Sequence, residues 1–126
     1  YNSNPLSLKS ALKNFDMIKV DSSKKHLIIG DMLELGKYSK KLHIEIGKII
    51  NKTSLKNVNV IGEYVKWAFN NVNKSRRGII LNKRSQIIDL IKNNLNNNDY
   101  LMIKGSNSTG LNSLTNLIKT GNTHAL

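Results

Sequence analysis

Four short apolar runs, His26-Leu27-Ile28-Ile29-Gly30, Val58-Asn59-Val60-Ile61-Gly62, Gly78-Ile79-Ile80-Leu81 and Tyr100-Leu101-Met102-Ile103, recur along the chain with a helix-length stretch between successive runs. This alternation constrains the fold more than any other feature. In the first of the runs, His26 to Gly30, the unbroken apolar core argues for burial on both faces, as in a parallel sheet. Between the runs the apolar period changes. Leu42, Ile46, Ile49 and Ile50, then Tyr64, Val65, Ala68 and Phe69, then Ile87, Ile88, Leu90, Ile91 and Leu95 each mark one side of a helix. Leu8, Ala11, Leu12 and Phe15 predict a further amphipathic helix from about Pro5 to Met17, with Pro5 at its first position. The helix after the second run is expected over 63–72, and Ser39 is expected to cap the one after the first. Strands that alternate with helices need crossover connections, so the expected class is α/β, a mainly parallel sheet with helices on both faces.

Ligands of such sheets gather at the carboxyl ends of the strands. The loops after Ile29, Ile61 and Ile103 should therefore share one rim. The first of them is Asp31-Met32-Leu33-Glu34-Leu35-Gly36. A dinucleotide fingerprint needs glycines where Met32 and Leu33 stand, and Asp31 and Glu34 would repel a pyrophosphate, so an ammonium group or a cation is the better guest. The last is Lys104-Gly105-Ser106-Asn107-Ser108-Thr109-Gly110, followed by Leu111, Leu114, Leu117 and Ile118 at helical spacing. Unpaired N–H groups at a helix start, beside Lys104, favour an anion; an ordinary β-to-α turn capped by Ser or Thr accounts for the same residues. Gly105 and Gly110 have Walker A spacing, but Leu111 and Asn112 replace the required Lys and Ser or Thr, so the loop is not read as an ATP site. A rim with carboxylates at one point and an anion site at another suits a zwitterion such as an amino acid or short peptide.

The chain has 126 residues, enough for one domain with its own core and too few for two. It lacks cysteine, which rules out disulfides and thiolate metal sites and fits a reducing compartment. No apolar run is long enough to span a bilayer. A cytoplasmic protein without membrane association is expected, and because the sequence opens at Tyr1 it reads as a fragment. The net charge of +12 raises nucleic-acid binding, yet the lysines are dispersed among Asn and Ile and aromatic residues make up only 6%, which disfavours a stacking platform. His43 is a lone helical histidine, expected to be structural, and no metal site is expected. Trp67 is compatible with either core or interface.

Taken together, Tyr1-Asn2-Ser3-Asn4-Pro5 with Leu8-Lys9-Ser10-Ala11-Leu12, Gly30-Asp31-Met32-Leu33-Glu34-Leu35-Gly36 with Ser39, Leu42, His43 and Gly47, Val60-Ile61-Gly62, and Lys104-Gly105-Ser106 resemble the C-terminal domain of the Mur ligases. The resemblance runs from end to end. It implies a Rossmann-like domain, the last of three, that closes over a central ATPase domain. The branch resembled joins D-alanyl-D-alanine to UDP-N-acetylmuramoyl-tripeptide in peptidoglycan synthesis. ATP and Mg would be bound by the central domain, absent here along with the N-terminal one. The isolated domain is thus expected to be inactive, monomeric and without a catalytic residue of its own. The resemblance places Asn2 and Asn4 toward the reaction centre and Ser106 and Asn107 toward the incoming substrate. Lys104 joins them as a substrate-binding candidate, and Asp31 and Glu34 are candidate amine or cation contacts. Many relatives carry Arg where Asn107 stands, which leaves Lys104 or backbone N–H groups to meet a carboxylate. The alternative is a stand-alone basic α/β module for nucleic acid or an anionic metabolite; folylpolyglutamate synthetase is a nearer rival, for which Tyr-Asn-x-Asn-Pro is the wrong signature.

Overall fold

The structure, a computed structural model, describes residues 5–106 and 124–125. Five strands, β1 (Lys25–Gly30), β2 (Val58–Ile61), β3 (Arg77–Leu81), β4 (Tyr100–Lys104) and β5 (His124–Ala125), form one sheet in the order β3-β2-β1-β4-β5. All four pairings are parallel. The helices are α1 (Pro5–Met17), α2 (Ser39–Ile50), α3 (Val65–Asn71) and α4 (Arg84–Asn94). The helix expected over 111–118, and the candidates Asn2, Asn4 and Asn107, lie outside the described residues.

Alternation along the strands sorts the core into two layers. Leu27, Ile29, Val58, Val60 and Met102 pack with Leu8, Leu12 and Phe15 of α1, Ile46 and Ile50 of α2, and Val65 and Ala68 of α3. Ile28, Leu81, Leu101 and Ile103 pack with Ile87 and Leu90 of α4. Helices thus cover both faces, because the chain winds outward from β1 through β2 to β3 and then returns to the other side of β1 as β4. That reversal puts a topological switch point between β1 and β4, the place where such sheets bind ligands at the carboxyl ends of their strands.

Several basic residues serve the fold. The last turn of α1 contains no cation, and the buried Lys25 of β1 supplies one, its Nζ donating to the Asp16 carbonyl at 2.7 Å. Arg77 likewise closes the end of α3, donating to the carbonyls of Val72 and Asn70 and lying over the Phe69 ring. Arg76 donates to the Leu55 carbonyl. Lys25, Arg76 and Arg77 are therefore tied to backbone carbonyls.

Two local expectations need correction. Ser39 does not cap α2: a 3₁₀ turn, Gly36–Tyr38, runs straight into the helix, Tyr38 already has helical backbone angles, and no side-chain cap forms. The third helix begins at Val65 rather than Glu63, because its start is set by a contact from β1's loop. Within β2, the buried Asn59 substitutes for part of the ladder. Its amide donates to the Leu27 carbonyl while its oxygen accepts from Ile79 N–H, at the register shift between β2 and β3. Gly78 is required there, since any Cβ would collide with the Asn59 side-chain oxygen.

Candidate functional site

The rim is built at the switch point from four segments, and its centre is the loop that leaves β1. Asp31, directly after β1, is buried and both its carboxylate oxygens are engaged: Oδ1 accepts from Val65 N–H at 2.8 Å and Oδ2 from Glu63 N–H at 3.0 Å. It therefore caps α3 from across the sheet, in the manner of an N-cap side chain but from 34 residues away. Gly62 makes this approach possible. It has φ 137°, and a Cβ there would lie 2.5–2.7 Å from the carboxylate atoms of Asp31.

The next two amides of the loop are also held by side chains. Met32 N–H donates to His43 Nε2 at 3.1 Å, and Leu33 N–H donates to Ser106 Oγ at 2.8 Å. His43 is buried, and its Nδ1 lies 2.7 Å from the Ser39 carbonyl. Nδ1 therefore carries the proton and Nε2 is the acceptor, so the ring has a fixed tautomer. Ser106 closes the circuit through its backbone, donating from N–H to the Asp31 carbonyl at 3.0 Å. The loops after β1 and β4 are thus in direct contact, and the loop after β2 joins them through Asp31.

Glu34 follows this clamped stretch. Its backbone is left-handed, φ 63°, a conformation that non-glycine residues rarely adopt, and its side chain is exposed. It makes no hydrogen bond or ion pair with any described residue. Lys104 ends β4, half-buried and in register with Ile29. The structure thus brings Asp31, Glu34, Lys104 and Ser106 onto one rim. Of the two carboxylates, Asp31 is occupied by backbone amides and Glu34 is exposed, with no partner among the described residues.

What sequence reasoning missed is the framework behind these residues. His43 bridges the Ser39 carbonyl and the Met32 amide, and the atom it holds belongs to the rim loop. Gly47, on α2, packs against α3 so closely that a Cβ would strike the Ala68 carbonyl and lie 2.9 Å from Asn71 Cβ. Beside this contact, Tyr64 and Trp67 lie with ring centroids 5.8 Å apart, and Lys40 sits over the Trp67 ring. A second buried polar pair, His26 Nε2 and Asp99 Oδ2 at 3.0 Å, ties the entry of β1 to the turn before β4, at the end of the sheet away from the rim. Asp99 also accepts from Asn96 N–H, which fixes the Asn-rich turn. The Asp21 carboxyl, ahead of β1 at that same end, is held below its ordinary value first by the Ser23 backbone N–H and then by the Ser23 side chain.

Among the described residues no three His, Asp or Glu side chains gather closely enough to hold a metal ion. After β4 the sequence carries Leu111 and Asn112 where a Walker A motif has Lys and Ser or Thr. No helix among the described residues is long and apolar enough to cross a membrane.

A family model described as "Mur ligase, glutamate ligase domain" matches residues 1–107. The chain belongs to this Mur ligase family. Two curated relatives are named UDP-N-acetylmuramoyl-tripeptide--D-alanyl-D-alanine ligase. That of Rickettsia prowazekii (strain Madrid E) is 32% identical over 112 residues, 88% of this chain and 24% of the relative. That of Bacillus subtilis (strain 168) is 28% identical over 110 residues, 84% of this chain and 24% of the relative. The chain thus spans about a quarter of the length of these relatives. The match takes in the clamped loop, α2, Gly62 and Ser106, so the rim lies within the part shared with the Mur ligase family.

Proposed function

We propose that this chain is the substrate-positioning domain of an ATP-dependent amide ligase that joins D-alanyl-D-alanine to UDP-N-acetylmuramoyl-tripeptide in peptidoglycan synthesis. The observation that carries the reading is the single rim formed where the loops after β1 and β4 meet, within the segment matched to the family. A zwitterionic dipeptide needs one charge of each sign at its two ends. Glu34 offers an exposed carboxylate for the ammonium group, and Lys104, on the loop that continues through Ser106, offers a cation for the carboxylate. Asn107, and Asn2 and Asn4 nearer the reaction centre, complete the proposed contacts.

The chemistry belongs to the complete enzyme. ATP activates the tripeptide carboxylate as an acyl phosphate in a neighbouring domain, where ATP and Mg reside, and the dipeptide amine then attacks it. This chain contributes placement: it holds the amine where attack becomes effectively unimolecular, and its closure excludes water from the acyl phosphate. No group of this chain is assigned to bond making, and the isolated domain is expected to be inactive. The complete protein is read as a cytoplasmic monomer.

The test is ADP release by the complete protein supplied with ATP, Mg and UDP-N-acetylmuramoyl-tripeptide. Release is expected to depend on D-alanyl-D-alanine and to yield one amide product per ADP. A complete protein that turns over equally with and without the dipeptide would remove this assignment.

A further inference from the structure

We propose that Ser106 is a positioning residue that acts through Glu34, and that Glu34 alone of the two rim carboxylates determines specificity for the amine end of the substrate. The inference rests on the ligase reading and deepens it. Three consecutive residues of the loop are fixed from outside: Asp31 at its carbonyl by Ser106 N–H and at its carboxylate by Glu63 and Val65 N–H, Met32 at N–H by His43, and Leu33 at N–H by the Ser106 hydroxyl. The next residue is Glu34, on left-handed backbone, exposed, and with no partner among the described residues.

A glutamate in that conformation gains nothing for the fold, since Gly or Asn would occupy it with less strain. Its surroundings nevertheless hold it there from several directions. Such over-determination of an unfavourable backbone is how a site keeps a group pre-aimed. The Ser106 hydroxyl is buried and already accepts the Leu33 N–H. By holding the amide next to Glu34, it bears on where the Glu34 carboxylate is placed. Asp31 cannot share the task without releasing α3.

The test is a double-mutant cycle in the complete ligase. Glu34→Gln is expected to raise KM for D-alanyl-D-alanine roughly tenfold, the factor that corresponds to one lost charge contact, with kcat and KM for ATP within about twofold. Ser106→Ala should raise the same KM by a similar factor, Ser106→Thr should restore most of it, and the double variant should be no worse than the poorer single variant. Factors that multiply in the double variant would show that Ser106 touches the dipeptide itself and would overturn the proposal, as would a Glu34→Gln enzyme with unchanged KM. If the unmodified enzyme shows no dipeptide-dependent turnover, the ligase reading fails by itself. The lock is then decided by hydrogen exchange: Ser106→Ala should speed exchange of the Leu33 amide by at least about tenfold, and an unchanged rate overturns it.

Discussion

Gly62→Ala is expected to destabilise the protein by about 3–5 kcal/mol, combining the cost of a side chain on unfavourable backbone with displacement of a buried carboxylate from two amides. The φ of 137° disfavours any L side chain, and the new Cβ would sit 2.5 Å from Asp31 Oδ1. Asp31 must then move, and the N–H groups of Glu63 and Val65 lose their acceptor. Urea denaturation of the variant measures the total. The cause can be separated from general intolerance by repeating the change in an Asp31→Ser background, where the shorter side chain removes the clash. There the added cost of Gly62→Ala should fall to the backbone share, about 1–3 kcal/mol. An equal cost in both backgrounds would mean that Asp31 and Gly62 are not coupled.

Gly47→Val should have the second-largest effect, about 2–4 kcal/mol from overpacking at a helix contact that has no spare volume. A Cβ at position 47 would strike the backbone carbonyl of Ala68, which has nowhere to go because α3 is pinned at its start by Asp31 and closed at its end by Arg77. Gly47→Ala should cost less, about 1–3 kcal/mol, because better helix propensity offsets part of the clash. The consequence for the rim is the more informative half of the prediction. Since α3 must shift to admit the side chain, the Glu63 and Val65 amides move away from Asp31. Hydrogen exchange at those two amides should rise more than at α4, which packs on the other face of the sheet. A uniform rise throughout the chain would indicate global loosening instead.

The alternation of apolar runs made the sheet legible, and with it the rim, because a parallel strand's carboxyl end is fixed once its direction is known. The exposed carboxylate of Glu34 and the Lys104–Ser106 turn could be placed on that rim from their positions just after β1 and β4. The role of Asp31 could not. Its partners, Glu63 and Val65 N–H, are backbone groups that any residue would supply, so no side-chain pattern announces them. The only trace in the sequence is a glycine, Gly62, directly after the second strand.

Ser39 misleads for the opposite reason. It is a good capping residue in a suitable place, but the preceding 3₁₀ turn leaves no extended residue to act as a cap, and its carbonyl serves His43 instead. The contact of His43 to the Met32 amide depends on α2 and the loop after β1 meeting in space. Asn59 resembles an interruption of an apolar strand and is in fact part of the ladder, paired with a glycine, Gly78, that makes room for it. In each case the local rule identified the element, and a long-range polar contact decided the detail.

The central claim is that one rim, at the carboxyl ends of β1 and β4, holds the incoming dipeptide. Photolabelling of the complete ligase with a D-alanyl-D-alanine analogue carrying a diazirine tests it most directly. Label competed away by unmodified dipeptide is expected on the segments 31–36 and 104–107. Label that instead falls on the opposite end of the sheet, around Lys25, His26 and Asp99, would contradict it.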